Sequence, residues 1–248
     1  MQRYFIELAY NGEEYYGWQR QPRQISIQEV IEGCLTKLNS NNEVKVLGCG
    51  RTDTGVHANH FILHTEISAI EDTEKFIFKM NSMLPQSIVI YNMFVVKENS
   101  HARFNATSRT YRYFIHRNKD PFKQAQSWLL RNDLDLVKMN EAAQHLIGKQ
   151  DFTSLSKIHT DVKTNICNVQ LAHWVQLDNG ACYFEITADR FLRNMVRATV
   201  GTLVDVGMYK SKPDYIRTIL DAMERQAAST SVPARGLFLW KVEYPKDI

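Results

Sequence analysis

The stretch from Gly50 to Ala58, GRTDTGVHA, places the carboxylate of Asp53 in an Asp-Thr-Gly triplet, two residues after Arg51. Aspartic proteases carry the same triplet, but their site needs two carboxylates that share one proton. The triplet occurs once in this chain, so a protease site would require a dimer. A neighbouring arginine instead favours an ionised carboxylate. The segment therefore indicates an acid that acts in its charged form, and the structural alternative is a carboxylate that merely caps a turn.

Three arginines follow at helical spacing, Arg190, Arg193 and Arg197. In a helix they would form one stripe, and no acidic residue lies between positions 190 and 204 to pair with them. Such a stripe suits phosphate oxygens or one buried carboxylate. We expect Arg190 and Arg193 to contact phosphates. The alternative is a solvated helix face whose aliphatic stems cover the edge of the core.

Aromatic and basic residues alternate in two segments, YYGWQRQ (15–21) and HARFNATSRTYRYFIHR (101–117). Aromatic rings that stack on bases, mixed with cations that contact phosphates, are typical of sites for single-stranded or flipped RNA. The second segment also alternates as a strand, with Tyr111, Tyr113 and Ile115 on one face. The alternative is that the tyrosines face the core, and we expect this for one of the two.

The composition is that of an ordinary globular protein, with 248 residues, 44% hydrophobic residues and a net charge of +3. No apolar run approaches the roughly 20 residues of a membrane helix, and the first residues lack the order of a signal peptide, so we expect a cytoplasmic protein. The four cysteines form no C-x-x-C pair. His60 and His64 are four residues apart in a predicted strand, where they would not align as helical metal ligands do. We expect neither disulfides nor a metal site.

Strand and helix patterns mix in both halves of the chain. Ser26 and Glu29 form a capping box before an amphipathic helix, and Asp178-Asn179-Gly180 (178–180) predicts a hairpin. The order of the elements predicts an α+β fold of two subdomains, residues 1–105 and 106–248, which share a mostly antiparallel sheet. The default position for an active site is the cleft between the subdomains.

Motifs along nearly the whole chain resemble one family, the bacterial tRNA pseudouridine synthase A (TruA) family. The resemblance is carried by YNGEEYYGWQRQ, GCGRTDTGVHA, NSMLP, HARFNATSRTYRY, DFTSL, FLRNMVRATVGTL and PARGLFL, in this order. The motif GRTD-x-GVHA is specific to this family, unlike an isolated Asp-Thr-Gly. The residue after the aspartate is often alanine in the family and is Thr54 here, which produces the protease-like triplet.

The resemblance implies a homodimer with tRNA lying across both subunits, and no cofactor. It implies isomerisation of uridine to pseudouridine in the anticodon stem-loop, at tRNA positions 38, 39 and 40. Asp53 matches the catalytic aspartate, Tyr111 the tyrosine that stacks on the target base, and Arg197 the arginine that pairs with the aspartate. Arg51 resembles the residue that helps to hold the nucleotide flipped out.

Two rival functions stay open at this stage. An RNA-binding protein that lost catalysis would keep the fold, but it would have no need of an ionised acid. A dimeric aspartic protease would need a second copy of the triplet from its partner. Formation of pseudouridine in a tRNA transcript without added cofactor separates both rivals from the synthase.

Overall fold

The computed structural model describes residues 1–157 and 163–248, which form two compact units. The first contains residues 1–107 together with 238–248, and the second contains residues 108–237. Each unit combines helices with a mostly antiparallel sheet, so the predicted α+β fold class is confirmed. The division at the C-terminus differs from the predicted 106–248, because the last strand returns to the first unit.

The first unit is built on a sheet with the strand order β4-β1-β3-β10, and β2 pairs with β3. The β1–β3, β1–β4 and β2–β3 pairs are antiparallel, and β3 and β10 run parallel. Its elements are β1 (Gln2–Tyr10), α1 (Ile27–Leu38), β2 (Val46–Gly48), β3 (His57–Ile67), α2 (Thr73–Met83), β4 (Ile88–Val95) and, after the second unit, β10 (Leu237–Glu243).

The core of the first unit lies between this sheet and the helices. Strand β3 is buried along most of its length, whereas α1 buries one face made by Ile27, Ile31, Cys34 and Leu35. The side chain of Ser26 accepts a hydrogen bond from the Glu29 N–H (3.3 Å), so the predicted start of α1 is confirmed. This satisfies one of the amide groups that a helix start leaves without a partner.

The second unit has an antiparallel sheet with the order β5-β9-β8-β7, to which β6 adds a short parallel pair beside β5. Its elements are β5 (Ser108–His116), β6 (Trp128–Leu129), α3 (Leu136–Gln144), β7 (Gly148–Asp151), β8 (Ile166–Gln176), β9 (Cys182–Ala188), α4 (Met195–Gly207) and α5 (Tyr215–Ala222). The predicted hairpin joins β8 to β9, with Asn179 and Gly180 both at positive φ.

Helix α4 is the central helix of the second unit, because most of its residues are buried. The chain after α5 returns over it so closely that a Cβ atom on Gly201 would lie 2.1 Å from the Thr230 carbonyl oxygen. The absence of a side chain at position 201 therefore decides how closely this return segment, residues 228–232, approaches the helix. Within the described residues, no helix is both long and apolar enough to cross a membrane.

The contact at Gly201 predicts a sharp contrast between two helix glycines. Gly201→Ala should lower the free energy of unfolding by about 1–3 kcal/mol, because the return segment must move away from the added methyl group. Gly33→Ala in α1 meets no atom within 4 Å, so it should be neutral or stabilising by about 0.5–1 kcal/mol. Urea unfolding of both variants measures the difference, and equal stabilities would contradict the close approach.

Candidate active site

The Asp53 loop, residues 50–56, connects β2 to β3 in the first unit. Arg51 is exposed, Asp53 is half-buried, and Thr52 between them is 8% exposed. The loop thus brings the predicted acid and the predicted nucleotide-holding arginine onto one short segment. The buried threonine fixes its centre, while the two charged residues remain open to solvent to different degrees.

Three hydrogen bonds attach the Asp53 loop to the last residue of β1 and to the chain that follows it. The Trp18 N–H donates to the Thr52 carbonyl (3.1 Å), and the Gly55 N–H donates to the Tyr15 carbonyl (3.3 Å). The hydroxyls of Tyr10 and Thr52 lie 2.8 Å apart. Because the bonds hold both sides of Asp53, the backbone that carries the carboxylate is fixed on its C-terminal and N-terminal sides.

Gly17 allows the two segments to come this close. Its φ is +89°, and a Cβ atom at this position would lie 2.4 Å from the Thr52 carbonyl oxygen and 3.1 Å from the carbonyl carbon of Asp53. Both the positive φ and the lack of space favour glycine. The motif YYGWQ around Gly17 therefore supports the Asp53 loop, a role that its aromatic content did not reveal.

Trp18 anchors this arrangement in the core of the first unit. Its ring stacks on Phe61 of β3 with a centroid distance of 4.0 Å, and its carbonyl accepts a hydrogen bond from the Gln28 N–H in the first turn of α1 (3.0 Å). Sheet, helix and Asp53 loop thus meet at one tryptophan. Movement of the Thr52 backbone would have to disturb a packed aromatic pair.

The two tyrosines of β5 have different environments, as the sequence pattern allowed. Tyr113 is fully buried, and its hydroxyl donates to the Pro233 carbonyl (2.8 Å). Burial raises the pKa of the Tyr113 hydroxyl, whereas the positive charges of Arg197 and Arg235 lower it. Tyr113 is therefore a neutral core residue, and the expectation that one tyrosine faces the core is confirmed.

Tyr111 is half-buried, and its ring meets the ring of Phe191 edge to face at 4.9 Å. Phe191 lies in the Arg190–Asn194 loop, residues 190–194, so the aromatic contact brings Tyr111 to the segment that carries two of the predicted arginines. Sequence reasoning did not single out Phe191. Its position inside the FLRNMVR motif, directly after Arg190, was the available signal.

The predicted stripe of three arginines on one helix is wrong. Helix α4 begins at Met195, and its N-cap Asn194 has a left-handed backbone with φ of 67°. Arg190 and Arg193 therefore lie in the preceding loop, and Arg197 alone lies on the helix. Asparagine tolerates the left-handed region, and the Arg193 carbonyl accepts a hydrogen bond from Lys157 (2.9 Å). Because of both features, the helix begins only at Met195.

Two hydrogen bonds fix Arg197 to the return segment. Its Nε donates to the Val232 carbonyl (2.8 Å), and the Val232 N–H donates back to the Arg197 carbonyl (3.3 Å). The first bond uses the Nε–H donor of the guanidinium group and the second uses the backbone carbonyl, so side chain and backbone are both held. The return segment is thus the support for Arg197, a role that the sequence pattern did not reveal.

The second unit is further tied together at the start of the Arg190–Asn194 loop. The Asp189 carboxylate accepts hydrogen bonds from the N–H groups of Arg190 (2.7 Å) and Asn168 (2.8 Å), and the Arg109 guanidinium donates to the Asp189 carbonyl (2.9 Å). The loop therefore starts from a fixed turn. Among residues 1–157 and 163–248, no group of three or more His, Cys, Asp and Glu side chains could hold a metal ion.

Comparison with known proteins identifies the family. The chain is 49% identical to the tRNA pseudouridine synthase A of Bacteroides fragilis, over 100% of its own length and 98% of the relative's. It is 47% identical to the same enzyme of Bacteroides thetaiotaomicron, over 100% and 93%, and 35% identical to that of Bacillus subtilis, over 96% and 97%. The family model described as tRNA pseudouridine synthase matches residues 142–245.

The chain belongs to the tRNA pseudouridine synthase A family. The resemblance inferred from the motifs is confirmed, and with it the assignment of the chain as an enzyme of the isomerase class. Asp53, Tyr111 and the three arginines thus belong to a chain of this family.

The close contact at Gly17 predicts that the Asp53 loop can be displaced without touching the carboxylate. Gly17→Ala should lower the rate of the enzyme's reaction by roughly tenfold or more, because even a small misplacement of a reacting group is costly. Gly50→Ala is the matched control, since a Cβ atom there meets nothing within 4 Å. Single-turnover rates and unfolding curves of both variants provide the test. Equal rates would show that the Gly17 contact does not position Asp53.

Proposed function

We propose that this enzyme isomerises uridine to pseudouridine in the anticodon stem-loop of tRNA, at positions 38, 39 and 40, with Asp53 as its catalytic carboxylate. The observation that carries the proposal is the Asp53 loop itself. A half-buried carboxylate stands on a backbone fixed by three hydrogen bonds and one glycine contact. Rigid placement of a reacting group is what catalysis by orientation requires. Full-length similarity to tRNA pseudouridine synthases supports the choice of substrate.

The reaction breaks the bond between uracil N1 and ribose C1′ and forms a bond between C5 and C1′. The C5 proton is lost and N1 gains a proton, so atoms and electrons balance without an oxidant, a reductant or consumed water. The proposed reaction therefore requires no cofactor. An ionised carboxylate at position 53 would act as a nucleophile or a base in this sequence of bonds.

A uridine paired in a stem cannot be reached by a side chain, so the nucleotide must be turned out of the helix at a cost of a few kcal/mol. We assign stacking on the flipped uracil to Tyr111, because an aromatic platform stabilises an unstacked base by about 1–3 kcal/mol. The edge-to-face contact with Phe191 holds the Tyr111 ring in one orientation. A fixed ring loses little freedom when a base binds to it.

We assign the remaining charged residues supporting roles. Arg197 is the partner of the catalytic aspartate in the family pattern, and its two backbone bonds to Val232 fit a residue whose direction matters. Arg51 would help to hold the flipped nucleotide, and Arg190 and Arg193 would contact phosphates from their loop. We carry the homodimer and the cytoplasmic location forward as part of this proposal, on the strength of the resemblance.

The substrate position is testable directly. Release of tritium from tRNA labelled at uridine C5 reports formation of the C5–C1′ bond, because the C5 proton must leave. The enzyme should release tritium from a transcript with uridines at positions 38–40, and release should stop when these uridines are replaced by cytidine. Undiminished release from the replaced transcript would overturn the assigned position while leaving the synthase activity intact.

The proposed role of Asp53 predicts a loss of chemistry without a loss of binding. Asp53→Asn keeps the size of the side chain but removes its charge, so turnover should fall by at least roughly a hundredfold while the affinity for tRNA survives. Asp53→Ala guards against deamidation of the asparagine. Glu14→Gln removes an exposed carboxylate nearby and should be neutral. Turnover of Asp53→Ala within tenfold of the parent would remove Asp53 from the mechanism.

The proposed role of Tyr111 predicts different behaviour for two substitutions. Tyr111→Phe keeps the stacking face and the contact with Phe191, so binding should be largely retained. Tyr111→Leu should lose about 1–3 kcal/mol of binding free energy. If the hydroxyl also takes the C5 proton, the phenylalanine variant will bind well and turn over slowly. Tyr91→Leu, at an exposed position, is the control. Near-normal binding and rates for both Tyr111 variants would mean that Tyr111 has only a structural role in β5.

A further inference from the structure

A polar groove in the second unit lies at the C-terminal end of β5, away from Tyr111. It forms where β5 ends, beside the β8–β9 hairpin, and it has a volume of about 510 Å³. Its wall is basic and amide-rich, and is formed by Arg117, Asn118, Lys119, Arg131, Asn179 and Gly180. We call it the β5-end groove. A strand rises about 3.3 Å per residue, so the groove begins roughly 17 Å along β5 from Tyr111.

The cations of the β5-end groove are incompletely neutralised by the protein. Arg117 forms an ion pair with the exposed Asp133 and donates to the Arg131 carbonyl (3.1 Å). Lys119 and Arg131 are exposed and form no ion pair within residues 1–157 and 163–248. Arg117 is therefore held in place by its own unit, and two further cations stand at the same wall. This arrangement favours an anionic ligand.

A second observation in the adjoining part of the groove points to a ligand independently. His116 is 4% exposed and lines this part, of about 280 Å³, yet its Nδ1 atom has no hydrogen-bond partner in the described part of the chain. A buried polar atom without a partner costs free energy unless a ligand or water satisfies it. An imidazole nitrogen can donate to a phosphate oxygen in the tautomer that carries the proton at Nδ1.

An aromatic ring stands beside these polar groups. Phe122 is 90% exposed, although the turn that carries it is ordered: the Asp120 carboxylate accepts a hydrogen bond from the Phe122 N–H (2.9 Å) and pairs with Lys123 (3.5 Å). Single exposed apolar residues are common on protein surfaces. An exposed ring next to unpaired cations and amide donors, however, is the combination that binds a nucleic-acid strand through phosphates and a base.

We propose that the β5-end groove binds the sugar–phosphate backbone of the RNA substrate, with Lys119, Arg131 and His116 facing phosphates and Phe122 stacking on a base or sugar. The inference rests on the proposed function for the identity of the RNA. The contacts would lie outside the position of the target uridine, at the other side of β5 from Tyr111. The groove would increase the affinity for RNA and fix the position of the strand relative to the active site, without taking part in the chemistry.

The test removes the charges of Lys119 and Arg131 and compares this double variant with a control variant that loses two positive charges elsewhere. Lys119→Gln together with Arg131→Gln should reduce the number of counterions released on tRNA binding by roughly two. The factor by which affinity falls between 50 and 200 mM salt should then be about tenfold smaller than for the parent. Lys149→Gln together with Lys212→Gln makes the same change of charge at two exposed positions outside the groove. Its salt slope should stay at the parent value. Single-turnover rates at saturating enzyme should be unchanged in both double variants.

A second pair of variants separates stacking from charge and from folding. Phe122→Ala should weaken tRNA binding without changing the salt slope. Phe122→Tyr keeps an aromatic ring and should bind tRNA like the parent. Because the ring is 90% exposed, both variants should be as stable as the parent. The groove proposal is overturned if the Lys119/Arg131 variant binds tRNA like its control. It is also overturned if that variant slows chemistry while its affinity is unchanged. If the parent binds tRNA but releases no tritium, the proposed function fails, and the binding comparison still decides the groove.

Discussion

The carbonyl of Thr52 occupies the space that a side chain at position 17 would fill, and the arrangement of the first unit depends on this contact. It brings the chain after β1 against the Asp53 loop closely enough for the Trp18 N–H to bond to Thr52. The same tryptophan stacks on Phe61 and accepts a hydrogen bond from α1. One close approach of backbones thus connects the carboxylate to a strand, a helix and the aromatic core. A functional group on a loop gains the precision of regular elements in this way.

The second unit uses the same device for its arginine. Gly201 lets the return segment lie against α4, and the segment then binds Arg197 through Val232. In both units a glycine admits a passing backbone, and the backbone orients a charged group or its neighbour. Backbone partners suit this purpose because their amide and carbonyl groups are fixed by the chain, whereas a side-chain partner would have to be held in its rotamer by further contacts.

Local signals in the sequence predicted local structure well. The N-cap at Ser26, the hairpin at residues 178–180 and the strand β5 all appear in the structure, because each depends on neighbours within a few residues. The motifs identified the family and, through it, the candidate residues Asp53 and Tyr111. The spacing of the arginines wrongly predicted one helix, because α4 begins only at Met195. Periodicity cannot show that Asn194 is left-handed or that the Arg193 carbonyl is bonded to Lys157.

The contacts that position the candidate site were beyond sequence reasoning for a physical reason. Gly17 and Thr52, or Gly201 and Thr230, meet only after the chain has folded, and a glycine in the sequence does not say which backbone will pass over it. The final strand is a similar example. Its apolar pattern fits any core strand, and the sequence does not show that it pairs with β3 through Phe238 and Leu239 and that residues 238–248 belong to the first unit.

The net charge of the chain likewise says less about RNA binding than the local pairing of its cations does. A net charge of +3 gives little attraction for a polyanion as long as the charges are evenly mixed. Many cations of this chain are matched by acids on their own unit, such as Arg3 with Glu66 and Arg112 with Glu185. Pairs of this kind remove the matched cations from competition for phosphates. Affinity for RNA is then concentrated where the pairing is incomplete, and a chain of nearly neutral composition can still bind its substrate in one register.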